Sequence, residues 1–481
     1  MPTLPLMADI VQRAPQPDLR LLIDISGSMK ESDPDNLRGP ALELIVRLLP
    51  DGAKAGVWAF GQDVKVLVPH GIVDEVWRQQ AQQAVAHIDN SGQRTNIPAV
   101  LAAATYDFGS LDPAYRTSIV LLTDGKVDVS ASPIANISAA KKLLEDTAPN
   151  LAATGIPIHT IALSDHADWA FLRSLAEVST GLADKAETAG DLTEIFVQSL
   201  EMVAPAARVP LAGGSFSIDD SVESFTALVF FTDTPADLGL VAPDGESFSA
   251  AEAKDNAEWF VTGRFALVSV KNPVPGSWQL EAPTDARIRV TVIADLQLEA
   301  DPLPSSMPAD RAGEIGIRLR SGDELLTDVQ LLELLHISLD ITGPDGTTKT
   351  IDVSADYPVP PTGEYRVSIP AFEQAGRYQL LARVQGKTLM RELPMYVDVV
   401  ASPERNTINT RPEDVPETSL ILPVLTLFGV LALVAFVAWL ESRRRRRRKL
   451  AIWQRRFETS RDDEETVVAT IRADSDDHQR N

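Results

Sequence analysis

The sequence predicts a doubly wound α/β domain with a mostly parallel sheet, then two all-β sandwiches, then one transmembrane helix. Three patterns predict it. Residues 19–200 alternate apolar runs with segments of helical spacing, as in a parallel sheet covered on both faces. From 204 to 400 the period falls to two, and Pro, Gly and Asp interrupt it, as in sandwiches. Residues 419–440 read SLILPVLTLFGVLALVAFVAWL, 22 residues without a charge. A bilayer core needs about 20 such residues in a helix.

The first domain is expected over 18–203. Its first strand is 19–25, a run suited to burial on both faces. Helical spacing over 37–49 stops at Pro50. Strands follow at 55–60 and 64–68, joined by a Gly61-Gln62-Asp63 turn. Segments 73–88 and 97–106 read as helices, and 118–122 as an apolar strand. A helix over 134–153 leads to a strand at 156–163. Helices at 168–178 and 192–203 flank a short strand at 182–186.

An internal repeat organises the next 200 residues. Val241-Ala242-Pro243-Asp244-Gly245 is followed by Pro275-Gly276-Ser277-Trp278-Gln279-Leu280. About 100 residues on, Thr342-Gly343-Pro344-Asp345-Gly346 is followed by Ala375-Gly376-Arg377-Tyr378-Gln379-Leu380. Pro-Asp-Gly is turn chemistry, since Pro presets φ and Gly accepts φ > 0. The aromatic of each copy is expected to open a strand and anchor a core. The spacing implies two immunoglobulin-like sandwiches, 204–300 and 301–400, with the boundary in 301–310 (DPLPSSMPAD). Residues 401–418, polar with three prolines, read as a linker.

Oxygen-bearing side chains gather where strands end. Asp24-Ile25-Ser26-Gly27-Ser28 closes the first strand, and Thr123-Asp124-Gly125 closes the strand at 118–122. Arg94-Thr95-Asn96-Ile97 stands between them at a helix start. Strand ends of a doubly wound sheet share one rim, where ligands bind. Asp-x-Ser-x-Ser alone is a weak signal; three pieces, each at a strand end or helix start, are a strong one. Together they resemble the metal-ion-dependent adhesion site of von Willebrand factor type A domains, and the resemblance covers about residues 18–203. It implies that Ser26, Ser28 and Thr95 ligate Mg²⁺ (or Mn²⁺) directly, and that Asp24 and Asp124 act through water or hydroxyl hydrogen bonds. Oxygen-only donors suit such a hard cation. Neutral direct ligands leave the metal's charge unquenched, so an open position should attract a carboxylate from a partner protein. The pattern departs from the family at Arg94, where Gly is frequent. A long cation there is expected to tune partner choice or to pair with Asp124.

Charge and composition bound the rest. The net charge is −24, yet 441–481 carries 12 Lys and Arg against 9 Asp and Glu. The acidic body argues against nucleic acid, whose phosphates it would repel. The absence of cysteine excludes disulfides, thiol catalysis and Cys-ligated zinc. No GxSxG, HExxH or GxxxxGK[ST] is present, so no enzyme is expected. His159, inside a strand, reads as structural, and His166 as solvated in a helix-capping loop with Asp165 and Asp168.

Seven cations, Arg443 to Arg448 and Lys449, follow the apolar span, and Trp439 lies at its end. The positive-inside rule holds such a run in the cytoplasm. The protein is therefore expected in the cell inner membrane, single-pass, with its N-terminal domains periplasmic and 441–481 cytoplasmic, basic and then acidic. Residues 1–17 form an N-terminal segment. Its start, MPTLPLMA, lacks a basic n-region and a full h-region, and reads as the remnant of a longer export signal.

The functional expectation is a membrane-anchored, non-enzymatic protein. It binds a protein carboxylate through the metal site outside the cytoplasm, with the β-domains as spacer or second interface. The alternative is a signalling or assembly component whose tail, which includes the candidate phosphoacceptor Thr466, reports inward. A chelatase-like assembly is set aside because such assemblies are cytoplasmic.

Overall fold

A computed structural model describes residues 15–400, except 35, 164–166, 187–188, 232–237 and 253, together with Phe436, Trp439 and Arg443. The described residues from 15 to 400 lie in one compact unit. The expectations for 1–14, His166, the linker and Thr466 fall outside the described residues, as does nearly all of 419–440. No helix among the described residues is long and apolar enough to cross a membrane.

The first domain is a six-stranded sheet of β1 (Gln16–Asp24), β2 (Lys54–Phe60), β3 (Val64–Ile72), β4 (Tyr115–Thr123), β5 (Ile158–Leu163) and β6 (Ala183–Ala186). The spatial order is β3-β2-β1-β4-β5-β6, and only the β2–β3 pairing is antiparallel. The short Gly61-Gln62-Asp63 turn dictates that one reversal, because a parallel return needs a long crossover. The chain reverses its winding between β1 and β4. Ligands bind at such a switch point, outside the carboxyl ends of the strands.

The helices are α1 (Met29–Ser32), α2 (Arg38–Leu48), α3 (Glu75–Ala84), α4 (Ile97–Ala104), α5 (Pro133–Lys142), α6 (Ala148–Ala153), α7 (Trp169–Val178) and α8 (Ala189–Val203). Alternation along β1 builds two cores. Leu19, Leu21 and Ile23 pack with α2, α3 and α8 on one face. Leu22 packs with α4, α6 and α7 on the other. The helix expected over 134–153 is interrupted by a π-turn at Leu143–Thr147. Pro149 in the first turn of α6 explains this, since it cannot donate to the preceding turn. Asp74 starts α3 by accepting from the Trp77 amide, so that helix begins two residues later than the spacing predicts.

The first sandwich pairs two four-stranded sheets. One is β7 (Ser215–Ile218), β9 (Gly239–Val241), β10 (Ser247–Ser249) and β13 (Gly276–Glu281); the other is β8 (Val222–Phe230), β11 (Ala257–Val261), β12 (Phe265–Lys271) and β14 (Arg287–Ala294). The second sandwich sets β15 (Leu296–Ala300), β17 (Gly313–Ser321), β18 (Glu324–Leu325) and β21 (Glu364–Ile369) against a five-stranded sheet. That sheet holds β16 (Ser306–Pro308), β19 (His336–Thr342), β20 (Thr348–Asp352), β22 (Gly376–Gln385) and β23 (Met390–Val400). The repeat has a steric basis. Gly276 and Gly376 adopt φ of 138° and 140°. A Cβ there would stand 2.7 and 2.8 Å from Pro243 and Pro344, the prolines of the two turns. Trp278 and Tyr378 follow, both buried.

The units interlock. Leu44 of α2 and Val197 of α8 are buried against Leu228, Phe230, Phe265 and Leu267 of the first sandwich. The linker residue Arg208 makes backbone bridges to Thr291 of one sandwich and Glu392 of the other. Arg391, fully buried, donates to Ser221 and pairs with Asp219 at 2.6 Å across the two sandwiches.

Candidate metal centre

Register places the first contacts. Ile23 pairs with Leu122 in the β1–β4 ladder, so the next residues, Asp24 and Thr123, leave the sheet side by side. The Thr123 hydroxyl donates to one Asp24 carboxylate oxygen at 2.6 Å, and the Ser26 amide donates to the other at 2.8 Å. Both oxygens are thereby fixed, and the chain turns tightly after Asp24. The Ser26 and Ser28 hydroxyls meet at 3.0 Å. Ser28 stands at the N-cap of α1 yet makes no side-chain cap bond, so its hydroxyl turns to Ser26 and not to the helix. Met29, fully buried, pins the loop from below.

A second loop closes against the first. The Gly92 amide donates to the Ile25 carbonyl at 2.8 Å, and Gly92 bridges Ser26. A Cβ on Gly92 would sit 2.7 Å from the Ile25 carbonyl oxygen, so this approach requires glycine. Thr95, 5% exposed, exchanges two backbone bonds with Asp128, at 3.1 and 3.0 Å. Asn96 caps α4 through the Ala99 amide, which ends the loop directly after Thr95. Asp124 completes the rim and accepts from the Ser32 hydroxyl at 3.0 Å.

Asp24, Ser26, Thr95 and Asp124 are buried, and Ser28 is exposed, so the cluster opens to solvent at one serine. The Ser26–Gly92 bridge ties the loop that carries Thr95 to the loop that carries the serines. Sequence reasoning missed Thr123 and Ser32, the hydroxyls that hold the two carboxylates. Thr123 lies within the Thr-Asp-Gly triplet and could have been found; Ser32 has no local signal. It also missed Arg38, fully buried, whose guanidinium pairs with Asp33 at 2.6 Å and donates to the Asp24 carbonyl.

The alternative that Arg94 pairs with Asp124 is corrected by the structure. Arg94 reaches Asp128 instead, at 2.9 Å. Its backbone lies at φ +56°, the left-handed region that favours glycine, and the Thr95–Asp128 ladder brings the Asp128 carboxylate alongside. Asn136 of α5 donates to the same carboxylate at 3.0 Å. The capping role read for Asp168 is observed: it accepts from the Phe171 amide at the start of α7.

The electrostatics are unbalanced. Burial pushes the Asp24 carboxyl up to about 6, against hydrogen bonds from Thr123 and Ser26 that lower it, and the Asp124 charge adds to the rise. Among the described residues no cationic side chain bonds the Asp24 carboxylate, and no cluster of three or more His, Cys, Asp or Glu forms a metal site. The donors are hydroxyls and carboxylates, an all-oxygen set that fits a hard divalent cation. Ser26, Ser28 and Thr95 would hold it, with Asp24 and Asp124 behind them. Such a cation would favour the ionised form of Asp24.

A doubly wound domain with this hydroxyl and carboxylate rim defines a class of interaction module. Residues 18–198 match the model of the von Willebrand factor type A domain family. The N-terminal domain is a von Willebrand factor type A domain. Residues 202–296 match the model of the hemicentin galactose-binding domain-like family, a description different from the immunoglobulin-like one expected for this sandwich. No curated protein matches the chain. Among solved structures it is similar to a von Willebrand factor type A protein from Catenulispora acidiphila, at 17% identity over 75% of this chain and 68% of that one, with TM-score 0.33. It is also similar to the conserved hypothetical protein BatB from Bacteroides thetaiotaomicron, at 17% identity over 39% and 98%, TM-score 0.32. Proximal thread matrix protein 1 of the mussel byssus, with a zinc-occupied MIDAS motif, matches at 19% identity over 42% and 51%, TM-score 0.32.

Proposed function

We propose that the chain is a membrane-anchored, non-enzymatic adhesion or scaffold protein whose first domain binds a carboxylate of a partner protein through Mg²⁺ or Mn²⁺. Ser26, Ser28 and Thr95 are the direct ligands. Asp24 and Asp124 orient them. One observation carries this reading: the Asp24 carboxylate and the paired Ser26 and Ser28 hydroxyls meet at the switch point, and among the described residues Asp24 is bonded only by neutral donors. The cation supplies Lewis acidity toward a carboxylate. The chain holds the hydroxyls in place by backbone ladders and leaves Ser28 open to solvent.

The membrane reading rests on 419–440 and the cations after it. Phe436 and Trp439 stack at 6.0 Å, and Arg443 lies 5.2 Å from the Trp439 ring, an arrangement compatible with an interfacial anchor. Residues up to 418 then lie outside the cytoplasm. Capture of a partner by the 1–404 unit in Mg²⁺, compared with EDTA, tests the function. Retention in EDTA and in Thr95→Ala would make the cation structural and move the interface to the sandwiches. Protease added to spheroplasts tests the topology: it should digest the N-terminal domains and spare 441–481.

A further inference from the structure

The far end of β1, away from the metal rim, carries a second polar cluster. Asp18 is buried and accepts from Arg20 at 2.8 Å and from Thr117 at 2.8 Å through one oxygen. Its other oxygen lies 2.7 Å from His70 Nε2, on the edge strand β3. His70 Nδ1 lies 2.9 Å from the Tyr106 hydroxyl. Burial raises the Asp18 carboxyl, but the hydrogen bonds from His70 and Arg20 outweigh it and hold it below the usual carboxylate range. An ionised carboxylate only accepts, so Nε2 carries the proton toward Asp18. In the neutral ring Nδ1 is then an acceptor, and the phenol donates to it.

This is a hydroxyl on a base, with the base oriented by a buried acid. The rest of the surroundings suits the role. Arg20 is shared between Asp18 and Asp107, and its guanidinium carbon lies 5.8 Å from the Tyr106 ring centre. The Trp58 ring packs near His70 at 6.3 Å. Tyr106 itself is 65% exposed, so a reagent can reach it.

We propose that Tyr106 is a nucleophilic tyrosine that accepts acyl groups from activated esters, with His70 as its base and Asp18 as a positioning residue. The phenol oxygen forms a bond to the acyl carbon and the ester C–O bond breaks. The phenol proton passes to His70 Nδ1 and then to the departing alkoxide or aryloxide. The product is an acyl-tyrosine at the end of the sheet opposite the metal rim.

p-Nitrophenyl acetate is the probe, applied to the full chain and mapped by peptide mass spectrometry. Tyr115 is the internal control: it belongs to the same domain, Lys54 lies 3.8 Å over its ring, and its hydroxyl donates to the Gly52 carbonyl at 3.3 Å and not to a base. Tyr106 should be acetylated at least about tenfold faster than Tyr115, and His70→Gln should slow it about a hundredfold, the usual worth of a general base. The wild-type rate should rise less steeply with pH than the His70→Gln rate, because the protein supplies the base. The His70→Gln rate should climb about tenfold per pH unit, following hydroxide. Asp18→Asn should slow acetylation while keeping the wild-type shape of that profile. Tyr106→Phe, which leaves the Asp18–His70 pair in place, should remove the label. Equal rates at Tyr106 and Tyr115 in the wild type overturn the proposal, and that comparison requires no variant to fold. A folded His70→Gln protein with an unchanged rate and pH profile at Tyr106 overturns it too.

Discussion

β1 carries a buried aspartate near each end, and the two are treated in opposite ways. Asp18 meets Arg20, His70 and Thr117, and its carboxyl is held below the ordinary range. Asp24 meets an amide and a hydroxyl, and burial drives it up to about 6. The same strand, at the same depth, thus has one end electrostatically complete and one end short of positive charge. The nearest buried arginine at the second end, Arg38, is spent on Asp33 and on backbone. An uncompensated buried carboxylate is costly, and burial accordingly shifts Asp24 toward its protonated form. The divalent cation proposed above would offset that cost by favouring the ionised form.

The largest expected effect breaks the complete end. Arg20→Ala leaves Asp18 buried without its guanidinium and should destabilise the 1–404 unit by about 3–5 kcal/mol, read by denaturant titration. A loss below about 1 kcal/mol would mean that the pair is replaceable and the contrast with Asp24 is empty.

Next comes the incomplete end. Mg²⁺ at a hundredfold excess over its dissociation constant should stabilise the wild type by about 2.7 kcal/mol in thermal melts, and Asp24→Ala should abolish both that gain and calorimetric binding. Undiminished binding in Asp24→Ala would sink the site assignment.

A third group sharpens the comparison through pH. His159, near the start of β5, accepts from the Leu182 amide. Burial first, then the Arg116 and Arg377 charges, push it down to about 3. Its folded value lies below the unfolded one of about 6.5, so the unfolded chain binds the extra proton in between. The stability contribution is present above about pH 6.5 and is lost as pH falls toward 3, by at most about 1.4 kcal/mol per unit. His159→Gln should flatten that slope in pH-dependent unfolding; an unchanged slope would assign it to other groups.

The smallest effect on folding belongs to Thr95→Ala. It should cost under about 1 kcal/mol of stability yet lower partner affinity in Mg²⁺ by more than tenfold, because it removes a ligand and not a core group. An acidic-to-amide change on the partner should not add to it.

Much of the fold was legible because it is written in short-range patterns. The apolar runs at 19–25 and 118–122 became β1 and β4, and Asp24 and Asp124 fell where a strand end predicts. The 100-residue repeat was legible because the same steric lock, glycine against proline, recurs. What stayed hidden depends on contacts between distant residues. Arg20 interrupts an apolar strand and finds Asp107 in a loop 87 residues on; His70 finds Asp18 across 52. No local periodicity encodes such pairs. Ser32 and Asp128 escaped for the same reason. The break at 143–147 escaped because 134–153 keeps helical spacing through a proline whose cost appears only in backbone geometry.

The way Arg208 is zipped between two sandwiches, with Arg391 buried across their junction, has a mechanical meaning. A protein tethered at one end and gripped at the other carries load in series. Here a pull on the first domain reaches the second sandwich through the Arg208 backbone bridges and the ion pair of buried Arg391 with half-buried Asp219, which must shear together before any one yields. The first domain and the two sandwiches should then resist tension as one stiff strut and give way in a single step in a pulling experiment.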